Sequence, residues 1–350
     1  MEQSMKNRSA LLAALAVAAA LQGSPAKKTV AVFLFSGQSN MVSMASVNDL
    51  SADEKKPADS VYINVNGDCD ASKKGMWLTL GPGFGSQGVN FGSELLFGRT
   101  MTEQMPGLRI AIIKNSVSGS PLGKKEGWLS PRSNGGSGGT LYNNMMKHIK
   151  DAMSSITSVY DTSVYTPKWA GFVWLQGETD AMDQKLANVY EENLRNLVAD
   201  IRDTLGVDDL PVIIPLITTN TIWTYSSQVR GADVTLLKTL ENVDTMETKM
   251  FPTPDNMHYN AVGQRAIGTT VAKKWIAMDY SLDDVVAVAR LPRPVASREL
   301  QCKSKGYTVD PAGRKMTGGV PFAFSVIVSG RRGRGQTLVA RQHHYGEGGK

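Results

Sequence analysis

A chain of 350 residues, 41% hydrophobic and 20% charged, has an ordinary globular composition and is long enough to bury one large core with an appendage. The net charge is +6, but the excess is uneven: Arg331, Arg332, Arg334 and Arg341 crowd the last stretch against Glu347, so basicity says little about the main body. Two of the four histidines, His343 and His344, also lie there, and no Cys or His pair has zinc-ligand spacing, which argues against a transition-metal site; no cofactor is expected.

At the front, Lys6 and Arg8 precede an apolar run from Ala10 to Leu21 and then Gly23, Ser24 and Ala26, the order of a secretory signal peptide. Residues 1 to about 26 are therefore expected to be cleaved and the protein to be secreted or extracytoplasmic. The run falls short of the roughly 20 apolar residues that span a bilayer. A buried N-terminal helix is the alternative, and no other stretch looks transmembrane.

From Thr29 to Phe35 runs a continuous apolar segment rich in β-branched and aromatic residues, which predicts a strand buried on both faces. The segment from Asp49 to Gly92 reads as loop-rich and suited to form one wall of a cleft. Its Cys69 and the distant Cys302 are compatible with one disulfide in an exported protein or with two separate thiols. Further strands are predicted at Leu108 to Ile113, Gly171 to Leu175 and Val212 to Ile217, with a weaker fifth at Val243 to Met246. Tyr190, Leu194, Leu197, Ile201 and Leu205 mark an amphipathic helix stopped by Gly206. A closing helix, Ala261 to Met278, has Val262, Ala266, Ile267, Val271 and Trp275 inward, and the compact body ends near Tyr280. Residues 281–350 read as a basic Gly/Arg-rich appendage. Strand and helix alternate, which predicts a parallel sheet covered on both faces with its functional loops at the carboxyl ends of the strands.

The candidate chemistry sits at those ends. The first strand runs into Ser36-Gly37-Gln38-Ser39-Asn40-Met41, where Ser39 is either a nucleophile near a helix start or the cap of that helix. Asp255 lies three residues before His258, so one turn can present an imidazole that activates a hydroxyl and a carboxylate that orients it; a surface histidine beside a capping aspartate is the plainer reading. His148 falls in a helical stretch and reads as an ordinary helix residue. The second strand ends at Asn115-Ser116-Val117-Ser118-Gly119-Ser120, offering the Gly119 NH to an oxyanion, and the third at Gln176-Gly177-Glu178-Thr179-Asp180, offering the Gln176 amide. Glu178 and Asp180 suit a structural role, holding loops, and Trp128 and Trp223 suit packing.

Taken together, Gly37-Gln38-Ser39-Asn40-Met41, Gly119, Gln176-Gly177-Glu178-Thr179-Asp180-Ala181 and the pair Asp255 and His258 resemble the SGNH hydrolase superfamily, in the branch of carbohydrate esterase family six and the sialate O-acetylesterases. Gly81-Pro82-Gly83-Phe84-Gly85 and Gly263-Gln264 extend the likeness over roughly residues 29–275. The resemblance implies a three-layer α/β/α sandwich of flavodoxin-like type with a five-stranded parallel sheet, and no metal. It implies hydrolysis of acetyl esters on a glycan of acetylxylan or sialate type by Ser39, Asp255 and His258, with the Ser39 NH, Gly119 NH and Gln176 amide as oxyanion donors. Ser118-Gly119-Ser120 departs from the glycine pair often seen in the second block, as do Met44 and Ala45 from the usual continuation after the nucleophile. The expected partner is an acetylated carbohydrate. A short-chain lipid or aryl esterase, a non-catalytic carbohydrate-binding protein and a tail that binds polyanions are the competing readings; nucleic acid is not an expected partner.

Overall fold

A computed structural model of the protein describes residues 27–282. The expected leader, the basic appendage and Cys302 lie outside the described residues. In chain order the strands are β1 (Lys28–Gly37), β2 (Ala45–Ser46), β3 (Ala58–Gly67), β4 (Leu78–Leu80), β5 (Asn90–Phe91), β6 (Arg109–Ser116), β7 (Tyr165–Leu175), β8 (Val212–Pro215) and β9 (Val243–Met246). The α-helices are α1 (Ser39–Val42), α2 (Ser93–Gln104), α3 (Thr140–Ser154), α4 (Gln184–Leu205), α5 (Ser226–Thr239) and α6 (Ala261–Ala277).

Seven strands form one sheet in the order β4-β3-β6-β1-β7-β8-β9, and β2 pairs with β5 in a separate two-stranded ribbon. All neighbours in the large sheet are parallel except β3 and β4. The covered α/β/α class is the one expected, but the sheet is two strands wider than five. Both extra strands, β3 and β4, come from the segment that reads as loop. Asn64 and Asn66 interrupt the apolar run of β3, so its Val61, Ile63 and Val65 face the core without the continuous hydrophobicity that marks β1.

The alternation within β1 explains the layers. Val30, Val32 and Leu34 enter one core with Met145 and Ile149 of α3, Leu194, Leu197 and Ile201 of α4, and Val229 and Leu236 of α5. Ala31, Phe33 and Phe35 enter the opposite core with Leu95, Phe97 and Met101 of α2 and Ile267, Val271 and Trp275 of α6. Phe33 meets Phe97 and Trp275 edge-on, with ring centroids 4.8 and 5.2 Å away; each such pair contributes about 0.5–1.5 kcal/mol beyond area burial. Helix α6 lies so close to α2 that a Cβ at Gly268 would overlap the Ser93 carbonyl. That close face turns Val262, expected inward, out to 56% exposure, and Ala266 is only half-buried.

The central β1 has β6 on one side and β7 on the other. The chain winds first toward β3 and β6 and then reverses toward β7, β8 and β9, so the carboxyl end of β1 lies at the switch of winding direction, where open α/β sheets form crevices.

Candidate active site

The end of β1 is shaped by a glycine. Gly37 has φ +150°, and a Cβ there would run into the Leu175 carbonyl of β7. The strand can thus pass close to β7 and turn at once into α1, whose N-cap is Gln38. Ser39 is the first residue of that helix and not its cap, so its hydroxyl is free for another partner.

That partner is His258, whose Nε2 lies 3.0 Å from the Ser39 Oγ. The other ring nitrogen, Nδ1, lies 2.6 Å from Asp255 Oδ2. Asp255 Oδ1 also accepts from the backbone NH groups of Met257 (2.9 Å) and His258 (2.7 Å), so one carboxylate organises both the turn and the ring. Partial burial pushes the Asp255 carboxyl up, but the His258 NH and ring and the Met257 NH outweigh it and hold the carboxyl at about 2. The group is therefore ionised near pH 7. A hydroxyl within hydrogen-bond reach of an imidazole whose second nitrogen rests on a carboxylate has the geometry of an activated nucleophile.

Beside this line, Gly119 sits at φ +62° with open space where a side chain would be. Among the described residues, neither its NH nor that of Ser39 is used by another acceptor. Ser118 NH donates to Asp68 Oδ2 at 2.8 Å, which fastens the strand-end loop that carries Gly119.

Gln176 is placed differently from the expectation. It is fully buried, and its Nε2 faces Asp180 Oδ2 (2.6 Å), the Ser120 carbonyl (3.0 Å) and Gln38 Oε1 (3.3 Å). Its two amide protons are committed to holding the second and third loops together, so the structure does not bring it to Ser39 as a free donor. Asp180 caps the same assembly by accepting the NH groups of Leu122 and Gly123. Trp128 and Trp223 are buried in the core; Trp128 donates to Ser120 Oγ at 2.7 Å.

One residue of the site was not singled out from sequence. Asn40 Nδ2 donates to Glu178 Oε1 (2.7 Å) and the Met257 carbonyl (3.0 Å), and its Oδ1 accepts the Tyr259 NH (3.0 Å). It therefore grips the backbone on both sides of His258 from the position next to Ser39. Gln264 of α6 in turn holds the Asn40 carbonyl at 2.9 Å. Complete burial raises the Glu178 carboxyl above the usual range, against the pull of the Asn40 bond and nearby His258. The available signal was adjacency to the nucleophile block.

Beneath α1, Lys114 Nζ and Glu94 Oε2 pair at 2.8 Å in full burial, and Lys114 also donates to the Val42 carbonyl at 3.2 Å. A cation at the carboxyl end of this short helix satisfies a carbonyl the helix leaves open. Cys69 is buried, with its sulfur 3.7 Å from Ser116 Oγ.

The end of the central strand of an α/β sheet thus carries a hydrogen-bonded line from Ser39 through His258 to Asp255. The chain belongs to the family described as SASA, carbohydrate esterase, sialic acid-specific acetylesterase, whose profile matches residues 29–277. This is the branch to which the sequence motifs pointed. A curated relative, "Probable carbohydrate esterase At4g34215" of Arabidopsis thaliana, is 30% identical over 106 residues, a match spanning 30% of this chain and only 39% of the relative. Among solved structures, the Arabidopsis thaliana protein AT4G34215 superposes with TM-score 0.55 at 21% identity, covering 72% of this chain and 99% of that one. XAC1771 from Xanthomonas citri, a carbohydrate acetylesterase, gives 0.53 at 18% identity over 69% of this chain and 55% of that one. NanS gives 0.53 at 14% identity over 72% and 97%. These likenesses establish the fold.

Proposed function

We propose that this protein is a serine-dependent carbohydrate O-acetylesterase working through an acetyl-enzyme. The observation that carries the reading is the continuous line from Ser39 Oγ to His258 Nε2 (3.0 Å) and from His258 Nδ1 to Asp255 Oδ2 (2.6 Å) in a chain of a carbohydrate esterase family. His258 takes the Ser39 proton as Oγ bonds to the acetyl carbonyl carbon, and the Asp255 carboxylate stabilises the imidazolium. The Ser39 and Gly119 NH groups, both unengaged among the described residues, face the developing oxyanion. Collapse breaks the bond to the sugar oxygen, which leaves with the proton from His258. Water, deprotonated by His258, then attacks the acetyl group, and acetate departs as Ser39 regains its proton. Gln176 acts indirectly, by holding Ser120 and with it the Gly119 loop.

Among the described residues no helix is long and apolar enough to cross a membrane. The leader read from sequence supports secretion, where extracellular acetylated glycan is the substrate. The test is acetate release from acetylated xylan and from 4-nitrophenyl acetate by the wild type and Ser39→Ala. Turnover lost in the variant supports the proposal; turnover equal in both would overturn it.

A further inference from the structure

A polar cavity of about 170 Å³ opens where the ends of β3 and β6 meet α3. At about 30 Å³ per water it holds roughly six waters, a volume that suits one hydroxylated ring. It lies beside the carboxyl end of β1. Asn115 of β6 pairs in register with Ser36 of β1, three residues before Ser39, and with Asn66 of β3 on the other side. With strands about 4.8 Å apart, Asn115 and Asn66 stand one and two strand spacings from β1.

The lining contains an unusual group. Asn115 is 3% exposed, yet among the described residues nothing donates to or accepts from its carboxamide. The Asn115 carboxamide thus braces nothing among the described residues and is free to bond a molecule in the cavity. Asn66 Oδ1 is occupied by the Gly67 NH, which leaves its amide donors available toward the cavity. Val117 and Leu141 add an apolar patch.

The charges in the lining cancel or are absent. Lys147 is the one cation among the lining residues besides His148, and its Nζ is paired with Asp151 at 2.6 Å. Burial lowers the His148 imidazole to about 4, so it is neutral near pH 7, with Nε2 engaged by Asn64 Oδ1 at 2.9 Å. A carboxylate ligand would need an unpaired cation. A sugar hydroxyl instead needs groups that both donate and accept, and a carboxamide does both.

We propose that this cavity is a subsite for one neutral, hydroxylated sugar ring of the acetylated substrate, with the Asn115 carboxamide as its principal hydrogen-bonding group. The identity of that ligand rests on the esterase reading above; the neutral character of the sugar comes from the lining itself.

The experiment compares wild type with Asn115→Leu on acetylated xylo-oligosaccharide and on 4-nitrophenyl acetate, with a thermal melt of each protein. The expected result is a kcat/KM on the oligosaccharide that falls about ten-fold further than that on 4-nitrophenyl acetate, mainly through KM, with little change in Tm. Equal effects on both substrates would overturn the subsite, as would no effect on either. Higher wild-type kcat/KM on O-acetylated sialic acid, with an equal Asn115→Leu penalty, would overturn the neutral-sugar assignment. Calorimetric titration of xylotriose into Ser39→Ala and into Ser39→Ala/Asn115→Leu tests the subsite without turnover: binding lost only in the second supports it, and equal binding overturns it. Absence of Ser39-dependent hydrolysis in the wild type would instead overturn the esterase reading, so the two failures are separable.

Discussion

The loop that carries Asp255 and His258 and the loop from Gln176 to Asp180 flank the same nucleophile, yet they are built in opposite ways. The first faces solvent, with the Asp255 side chain 50% and the His258 side chain 18% exposed. The second is buried at Gln176, Glu178 and Asp180, and its hydrogen bonds reach neighbouring loops: Gln176 and Asp180 join Ser120, Leu122 and Gly123, and Glu178 holds Asn40. The groups assigned to proton transfer are accessible, as substrate and water require. The rigidity that keeps them in line comes from groups that touch neither. Asn40 joins the two regions, since it binds buried Glu178 and the peptide groups flanking His258.

The largest expected effect lies in the exposed loop. His258→Ala removes the proposed base and should lower kcat on 4-nitrophenyl acetate by about 10⁴-fold or more. A residual rate within ten-fold of wild type would show that the Ser39 to His258 contact is not the reacting pair.

The joining residue comes next. Asn40→Ala frees the backbone around His258 without removing a reacting group, so kcat should fall about 100-fold with KM within a few-fold. Glu178→Ala should act through the same bond, and the double variant should be little worse than Asn40→Ala, because neighbours in one network are not additive. Glu178→Gln retains an acceptor for Asn40 and should recover most of the rate lost in Glu178→Ala. Strictly additive losses would mean that the buried loop serves the site by some route other than Asn40.

This division also decides what was legible in the sequence. Ser39 is readable because an apolar strand runs straight into a glycine and a serine, and Asp255 with His258 because a three-residue spacing is what one turn needs. The family motifs, spread over roughly residues 29–275, carried the rest of that assignment. Gln176 was not readable as a brace, since the direction of its amide is set by Asp180 and by the carbonyl of Ser120 on another loop. The two unrecognised strands share that cause. Asn64 and Asn66 make β3 look like loop, but the Asn64 Oδ1 meets His148 Nε2 of α3 and the Asn66 Oδ1 accepts the Gly67 NH. Asn115 could not be read as part of a cavity, because β3, β6 and α3 must be assembled before the cavity exists.

The smallest effect tests how far the buried region is charged. Asp233 of α5 is fully buried, and neither carboxylate oxygen has a partner among the described residues. Burial raises its carboxyl well above the usual range; Arg230 pulls it down and Glu178 pushes it further up. A folded pKa above the unfolded value means that the folded chain binds the proton more tightly. The stability this contributes is complete below about pH 4, the unfolded value, and is lost as pH rises through the folded value. Asp233→Asn abolishes that titration while keeping the shape. The variant should melt near wild type at pH 4 and about 2–4 °C above it at pH 8, for roughly 1–2 kcal/mol in a body of this size. Calorimetric scans at the two pH values decide it. A difference that does not grow with pH would mean that Asp233 holds a charge despite its burial, and that the accessible and buried regions differ in exposure but not in ionisation.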